Sequence, residues 1–297
     1  LVSGGLDSAI IQAVAKADEV TCCHFVQDGI DTMPLALEGA QGAKIHAVTF
    51  GKEDVYKDLV AIAYHLDTPA TWSALGHWFM AAENAKYGNK VVLTGEGADE
   101  LFAGYTRYRI LHHIDQAKLD PQLETYAPMF DYLIGSRNDI LAKLLDRSSN
   151  GVARGHAKKL VEEYAGTPQQ TRLGANLVPA MCRLDWHTTM QVLLRMADTM
   201  MSAFSLENRS PFLDYRLIEL AMKMPNRHKI DHYSSKKVLR EVAKRLGVSD
   251  AIVNCKDKKG LIVPWNVWHD EAGARGKYDR TDFADAMRAA WRQAWKL

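Results

Sequence analysis

The sequence predicts an α/β fold, a parallel sheet with helices on both faces, followed by a mostly helical C-terminal half. Three observations predict it. Short apolar runs alternate with helical stretches as far as about residue 100. Two glycines, Gly4 and Gly5, turn an apolar strand end directly into a helix. Beyond Leu101 the strand-like runs stop and helical patterns take over. The expected organisation is one domain, with an α/β core over 1–110 and a mainly helical part over 111–297.

The elements follow in order. Val20 to Val26 reads as a buried strand, Lys44 to Phe50 as a second and Lys90 to Thr94 as a third. Helices are expected around Met33 to Gln41, Lys52 to Leu66 and Trp72 to Tyr87. In the C-terminal half, Arg107 to Lys118, Pro128 to Leu145, Ala153 to Ala165, Met190 to Ser205 and Arg216 to Met224 all look helical. Ser235 to Leu246 has amphipathic helical spacing, and its Lys and Arg residues read as a solvated face. Ligands of a parallel sheet sit at the carboxyl ends of its strands, so the turn at Gly4 and the turn at Thr94-Gly95 would share one edge.

Leu1-Val2-Ser3-Gly4-Gly5-Leu6-Asp7-Ser8 is the stretch around which the chain is organised. A glycine turn that opens a helix aims backbone N–H groups and the positive end of the helix dipole at an anion. Glycine leaves no Cβ between backbone and phosphate. Ser3 and Ser8 add hydroxyl donors at both ends of the cradle. Asp7 would repel a phosphate unless a cation lay between them, and its plainer reading is a helix cap. The spacing is neither G-x-x-x-x-G-K-[ST] nor G-x-G-x-x-G.

A second motif, Thr94-Gly95-Glu96-Gly97-Ala98-Asp99-Glu100, packs three carboxylates into five positions after a strand. Repulsion makes that costly in a buried turn unless cations or hydrogen bonds compensate. Paired with Asp7, the loop offers a magnesium site, because hard cations take carboxylate and phosphate oxygens.

Composition narrows the class. Of 297 residues 47% are hydrophobic and 25% charged, as in ordinary globular protein. Lys and Arg number 37 against 36 Asp and Glu, so the net charge of +1 implies no general attraction to nucleic acid or membrane. No apolar run approaches the roughly 18 residues of a membrane span. Cys22, Cys23, Cys182 and Cys255 lack C-x-x-C spacing and read as reduced thiols in a cytoplasmic protein. His65 and His112-His113 lack metal-ligand partners at useful spacing and read as surface or packing residues. Leu1 is not Met and the glycine loop begins almost at once, so an upstream segment is expected, and no targeting signal is excluded.

The loop Ser-Gly-Gly-x-Asp-Ser resembles the pyrophosphate loop of enzymes that cleave ATP between its α and β phosphates. Most of the chain resembles the synthetase domain of glutamine-dependent asparagine synthetases, whose relatives include β-lactam synthetase, carbapenam synthetase and lasso-peptide cyclases. The blocks that carry the resemblance are Ser3 to Ser8, Thr94 to Tyr105, Arg195 to Asp198, Glu207 to Asp214, Lys236 to Arg240 and Lys256 to Leu261, in the family's order. The resemblance implies a pyrophosphate-loop fold of the adenine nucleotide α-hydrolase kind, with 1–110 as its nucleotide-binding core and 111–297 completing the site.

It also implies roles. Ser3, Gly4, Gly5 and Ser8 would hold the ATP phosphates, with Val2 nearby, and Val26, at the end of the strand read over Val20 to Val26, would offer backbone groups to adenine. Thr94 and Gly95 would contact the nucleotide. Asp7 and Asp99 would bind Mg2+. Glu96 would serve the acyl-adenylate and its attack by the amine, and Lys258 would neutralise pyrophosphate and the charge of amide formation.

Two departures stand out. Asp67-Thr68-Pro69 is followed by Trp72, where the family has an Asp-Ser-Ser stretch. Trp72, His77 and Trp78 fall where the wall of the acceptor pocket is expected: facing the adenylate they suit a larger or less charged carboxylate than aspartate, whereas with Trp72 packed in the core, the reading favoured here, aspartate remains the substrate. The family's upstream glutaminase domain is absent from this chain, which leaves the ammonia supply open.

The reading is an ATP-dependent amide ligase, adenylating a carboxylate and releasing AMP and pyrophosphate, with aspartate and ammonia favoured. The nitrogen source is either free ammonia or glutamine through a glutaminase domain or subunit, and assembly into a homo-oligomer is left open. Alternatives are amide closure on another carboxylate, by a β-lactam-forming or peptide-cyclising relative, and a non-catalytic nucleotide-binding subunit. The intact set Asp7, Glu96, Asp99 and Lys258 argues against the last.

Overall fold

The computed structural model describes residues 1–24, 26–27, 30–67, 73–117, 159, 163, 177–255 and 280–296. The helix expected over Pro128 to Leu145 lies outside them, and of Ala153 to Ala165 only 159 and 163 are described. The described elements run α1 (Leu6–Ala15), β1 (Glu19–Cys23), β2 (Val26–Gln27), β3 (Ile30–Asp31), α2 (Met33–Ala40), β4 (Lys44–Val48), α3 (Lys52–Leu66), α4 (Ser73–Lys86) and β5 (Val91–Leu93). They continue with α5 (Ala98–Phe102), α6 (Thr106–Ala117), α7 (Leu177–His187), α8 (Thr189–Ser202), β6 (Glu207–Arg209), α9 (Tyr215–Lys223), α10 (Lys237–Arg245), α11 (Asp250–Val253) and α12 (Arg280–Trp295). The class is α/β, mostly helical around small parallel sheets. Two compact units interleave along the sequence: Leu1–Glu96, Leu193–Asp214 and Leu239–Leu297 form one, Gly97–Val192 and Tyr215–Val238 the other.

In the first unit β1 pairs in parallel with β4, from Glu19 opposite Lys44 to Cys23 opposite Val48. β5 pairs in parallel with β6, Val91 opposite Glu207 and Leu93 opposite Arg209. The main chain of Leu1 and Val2 ties the two ladders, since Leu1 N donates to Leu93 O (2.6 Å) and Val2 N to Thr21 O (3.0 Å). The glycine turn after Val2 is thereby fixed beside the carboxyl ends of β1 and β5.

Two expectations are corrected. The run Val20 to Val26 is not one strand: β1 stops at Cys23, and Val26 starts a separate antiparallel hairpin, opposite Asp31. Strands also do not stop after Leu101, because β6 forms at Glu207–Arg209. Its Glu-Asn-Arg sequence has no apolar alternation, and pairing with β5 alone makes it a strand.

Helix α3 shows why this unit's helices form where they do. Gly51 N donates to Asp54 Oδ2 (2.8 Å), Glu53 and Asp54 complement the N-terminal dipole, and the chain leaves through Asp67 in the left-handed region. Val55, Leu59, Ile62, Ala63 and Leu66 recur at helical spacing and are buried. They pack with Leu75 and Trp78 of α4, Met196 and Met200 of α8, and Met287 and Ala290 of α12. Trp78 donates its indole N–H to Asp58 Oδ2 (2.8 Å) and stands edge-on to Phe204, so it is core and not the pocket wall expected of it.

The second unit is helical. Tyr108 and Leu111 of α6 pack with Leu177, Val178, Met181 and Leu184 of α7 and with Ile230. Asp185, 0% exposed, is held by Tyr108 Oη (2.6 Å), Arg107 Nε (3.0 Å) and Thr189 Oγ1 (3.1 Å). His113 and His232 meet at the surface with ring nitrogens 3.0 Å apart. None of the four cysteines is in a disulfide. Among the described residues no helix is long and apolar enough to cross a membrane.

The Asp185 cluster carries a stability prediction. Asp185→Ala leaves the Tyr108 hydroxyl and the Arg107 guanidinium without their shared acceptor, which costs about 3–5 kcal/mol. The urea midpoint should fall accordingly, and an unchanged midpoint would show that water replaces the carboxylate.

Candidate functional site

Steric exclusion shapes the loop from Val2 to Ser8. Gly4 has φ +72°, and a Cβ on it would lie 2.6 Å from Leu35 Cβ and 2.8 Å from Leu35 C. Helix α2 reaches that close because the residues facing the loop are small: Ala36 and Ala40 are buried, and Gly39 sits 3.6 Å, measured from its would-be Cβ, from Gly4 Cα. A Cβ on Gly95 would fall 2.9 Å from Asp7 Cβ and 3.0 Å from Ser8 N. The turn after β5 is therefore pressed against the first turn of α1, and the sequence expectation that these two turns share an edge holds.

The loop organises its own donors. Ser8 Oγ accepts from Ser3 N (3.1 Å), lies 3.2 Å from Ser3 Oγ and donates to Gly5 O (3.1 Å). Gly5 is the N-cap of α1 and supplies no side-chain acceptor. Asp7 stands in the first helical turn instead, so the plainer reading of Asp7 as the cap is excluded. An uncapped helix start with glycine backbone is a ready anion site.

The three carboxylates of the acid-rich turn are compensated one by one. Glu96 lies in the first unit. Its Oε2 accepts from Asn208 Nδ2 (2.9 Å), Ser210 Oγ (3.2 Å) and Thr94 Oγ1 (3.2 Å), and Thr94 and Ser210 touch each other at 2.8 Å. Its Oε1 lies 3.3 Å from His77 Nε2, with the side chains 18% and 12% exposed. Burial pushes the Glu96 carboxyl up, but His77, Asn208 and Ser210 pull it further down, and it ends below the ordinary range. Burial likewise lowers the His77 imidazole, but Glu96 and the Ser73 carbonyl outweigh it and leave it raised.

The other two acids lie in the second unit. Asp99 pairs with Lys236 Nζ at 2.7 Å, both buried. Glu100 accepts from Tyr105 Oη at 2.6 Å, and burial raises its carboxyl.

The remaining sequence candidates are placed as follows. Val2 is buried against Val20 and Ala40 under the loop. Val26 contributes the backbone of the hairpin. Thr94 continues the β5–β6 pairing, its N donating to Arg209 O (2.9 Å). Lys258, Lys259 and Trp72 lie outside the described residues. Arg240 donates to Val253 O and to Cys255 O (3.1 Å) and so anchors the chain shortly before Lys258.

Asp7 and the loop hydroxyls suit a hard cation held by one or two carboxylates together with phosphate oxygens. Among the described residues no three His, Cys, Asp or Glu side chains converge on a protein-only metal cage. Asn208 and Ser210 lie in the block Glu207 to Asp214, where no spacing marks them as partners of Glu96, and His77, expected as a wall residue, is a third partner.

Gly4→Ala should cost about 2 kcal/mol or more, from a left-handed backbone and a Cβ with no space. The measurement is chemical denaturation, and a stability within 0.5 kcal/mol (about the scatter of a neutral surface change) would mean that α2 yields to the loop.

The chain is 30% identical over 302 residues to asparagine synthetase [glutamine-hydrolyzing] 1 of Bacillus subtilis (strain 168), covering 90% of this chain and 46% of that protein. It is 31% identical over 122 residues to asparagine synthetase [glutamine-hydrolyzing] 3 of Arabidopsis thaliana, covering 35% of this chain and 21% of the relative. It is 23% identical over 336 residues to amidase chry2 of Gibberella zeae, covering 90% of this chain and 49% of that protein. The chain thus spans about half the length of the first and last of these relatives. The sequence model of asparagine synthase matches residues 1–288, from the glycine loop into the last helix, and the chain belongs to that family.

Proposed function

We propose that this chain forms amide bonds by activating a carboxylate with ATP, most naturally aspartate, which ammonia then converts to asparagine. The observation that carries this reading is the uncapped N-terminus of α1, held by Gly95 against the turn that bears Glu96. One carboxylate oxygen of the substrate attacks the α-phosphorus, the bond to pyrophosphate breaks and an acyl-adenylate forms. The amine then attacks the acyl carbon, loses a proton and expels AMP.

The chain's residues divide this work. The Ser3, Gly4, Gly5 and Ser8 loop, over Val2, binds the phosphates with backbone and hydroxyl donors. Thr94 and Gly95 line the nucleotide, and the Val26 backbone meets adenine. Glu96, fixed as a carboxylate, faces the acyl-adenylate and orients the amine. Asp7 and Asp99 are the carboxylates assigned to Mg2+, which when bound offsets the charge on the departing pyrophosphate. Lys258 adds a positive charge for the same purpose.

A glutaminase domain or subunit would deliver ammonia from glutamine, as the names of the Bacillus and Arabidopsis relatives suggest. The thiols of Cys22, Cys23 and Cys182, outside any disulfide, favour the cytoplasm as the compartment.

Aspartate, ammonia and MgATP should yield AMP, pyrophosphate and asparagine in a product assay. ATP binding without aspartate-dependent AMP would overturn the reading, in favour of another acceptor carboxylate or a non-catalytic role. Asp7→Asn should keep the fold and lose Mg2+-dependent ATP–pyrophosphate exchange, because a full charge leaves the site. Near-normal exchange would remove Asp7 from the metal assignment.

Lys258→Ala should lower kcat by roughly a hundredfold, the usual loss for one preorganised charge. Lys259→Ala should change it little. Exchanged behaviour of the two lysines would mean that their loop is assigned one residue out of register.

A further inference from the structure

We propose that His77 is the positioning residue of this site: as an imidazolium it fixes Glu96 in one rotamer and keeps it ionised for the amine step. The inference rests on the function proposed above and extends it to a residue outside the motif blocks.

The geometry is specific. His77 lies on α4, 19 residues before Glu96, and reaches it at 3.3 Å through Nε2. Its other ring nitrogen, Nδ1, sits 2.9 Å from Ser73 O. A carbonyl oxygen only accepts, so Nδ1 carries a proton. An ionised Glu96 only accepts, so a proton on Nε2 is what makes the 3.3 Å contact favourable. Both nitrogens then donate, and the ring is cationic.

On the far oxygen Asn208, Ser210 and Thr94 supply neutral donors. These bonds can orient the carboxylate but cannot balance its charge. Among the described residues, His77 is the cation within ion-pair distance of Glu96. Around His77, Glu96 is the charged group and the Ser73 carbonyl the polar one that act on its proton affinity. On the side of β1, the Cys23 thiol points to Gly76 O (3.8 Å), and burial keeps it protonated.

The signs of the two shifts define a window. His77 is raised, so its half of the pair is present at low pH and is lost as pH rises through its folded-state value. Glu96 is lowered, so its half is lost only as pH falls through its own folded-state value. The pair therefore operates between the two. Free ammonia becomes more abundant as pH rises, so nucleophile supply alone gives a rate that climbs. A rate that falls again on the alkaline side is the mark of the imidazolium.

Two measurements on the whole chain test this. The first is the NMR titration of the His77 ring in the wild type and in Glu96→Gln. The imidazole should titrate at least one pH unit lower without the carboxylate, a tenfold change in proton affinity. Equal titration would overturn the proposal, and this arm needs no turnover. The second is the pH profile of kcat for amide formation. His77→Gln, which keeps a donor but not the charge, should lower kcat on the order of tenfold and remove the alkaline limb. His77→Lys should restore part of the rate and move the limb to higher pH.

Wild-type kcat and profile in His77→Gln would overturn the inference while leaving the proposed function intact. A wild-type chain without ATP–pyrophosphate exchange would overturn the function itself. If His77→Gln does not fold, the NMR arm decides alone.

Discussion

The first unit depends on close approach of main chain at two points, Gly4 against α2 and Gly95 against the first turn of α1. Neither tolerates a Cβ: the first contact fixes the glycine turn and the second the helical turn that follows it. Backbone N–H groups can be aimed at a ligand only if the loop does not drift, and here steric exclusion at both points prevents it. Hydrogen bonds from Leu1 to Leu93 and from Val2 to Thr21 fix the loop's start to both ladders. The small residues Ala36, Gly39 and Ala40 on α2 are the other half of the same constraint.

Charge sets the second constraint. An acidic group taken out of water is penalised by several kcal/mol, while a hydrogen bond from a neutral donor returns about 1 kcal/mol. Three carboxylates within five residues therefore need strong partners, and each has its own. Glu96 collects neutral donors and an imidazole, Asp99 takes a lysine, and Glu100 takes a tyrosine hydroxyl. At Glu100 burial outweighs the Tyr105 hydroxyl and a backbone N–H and raises the carboxyl, whereas Glu96, with an imidazole beside it, is lowered.

Much of this was legible in the sequence, for physical reasons. Helix α3 has the bounds its apolar spacing predicts, because acids at its start, a histidine near its end and a continuous buried face all point to one answer. The glycine loop was readable because no other residue type serves there. The short strand β6 was not, since Glu207, Asn208 and Arg209 show no strand pattern and only their partner makes them one. Helix α7 was hidden by Pro179, which a first helical turn accepts. His77 was invisible as a partner of Glu96, because one histidine on a helix carries no sign of what it meets. The Asp7–Asp99 pairing and Lys258 remain proposals from resemblance.

The Asp99–Lys236 pair shows how local cost marks a site. Lys236 holds φ +54°, a left-handed backbone that costs a side chain on the order of 1 kcal/mol. A Cβ on Gly104 would meet Asp99 Oδ1 and Lys236 Cε, so the glycine leaves the ends of these two side chains the room they occupy. The pair itself is buried, and a buried ion pair is a weak source of stability beside an apolar pair of equal volume. Backbone strain and desolvation thus fall on one contact whose yield in stability is small. Stability alone does not account for that arrangement. The metal role proposed for the Asp99 carboxylate, at the position that the family resemblance assigns, would account for it.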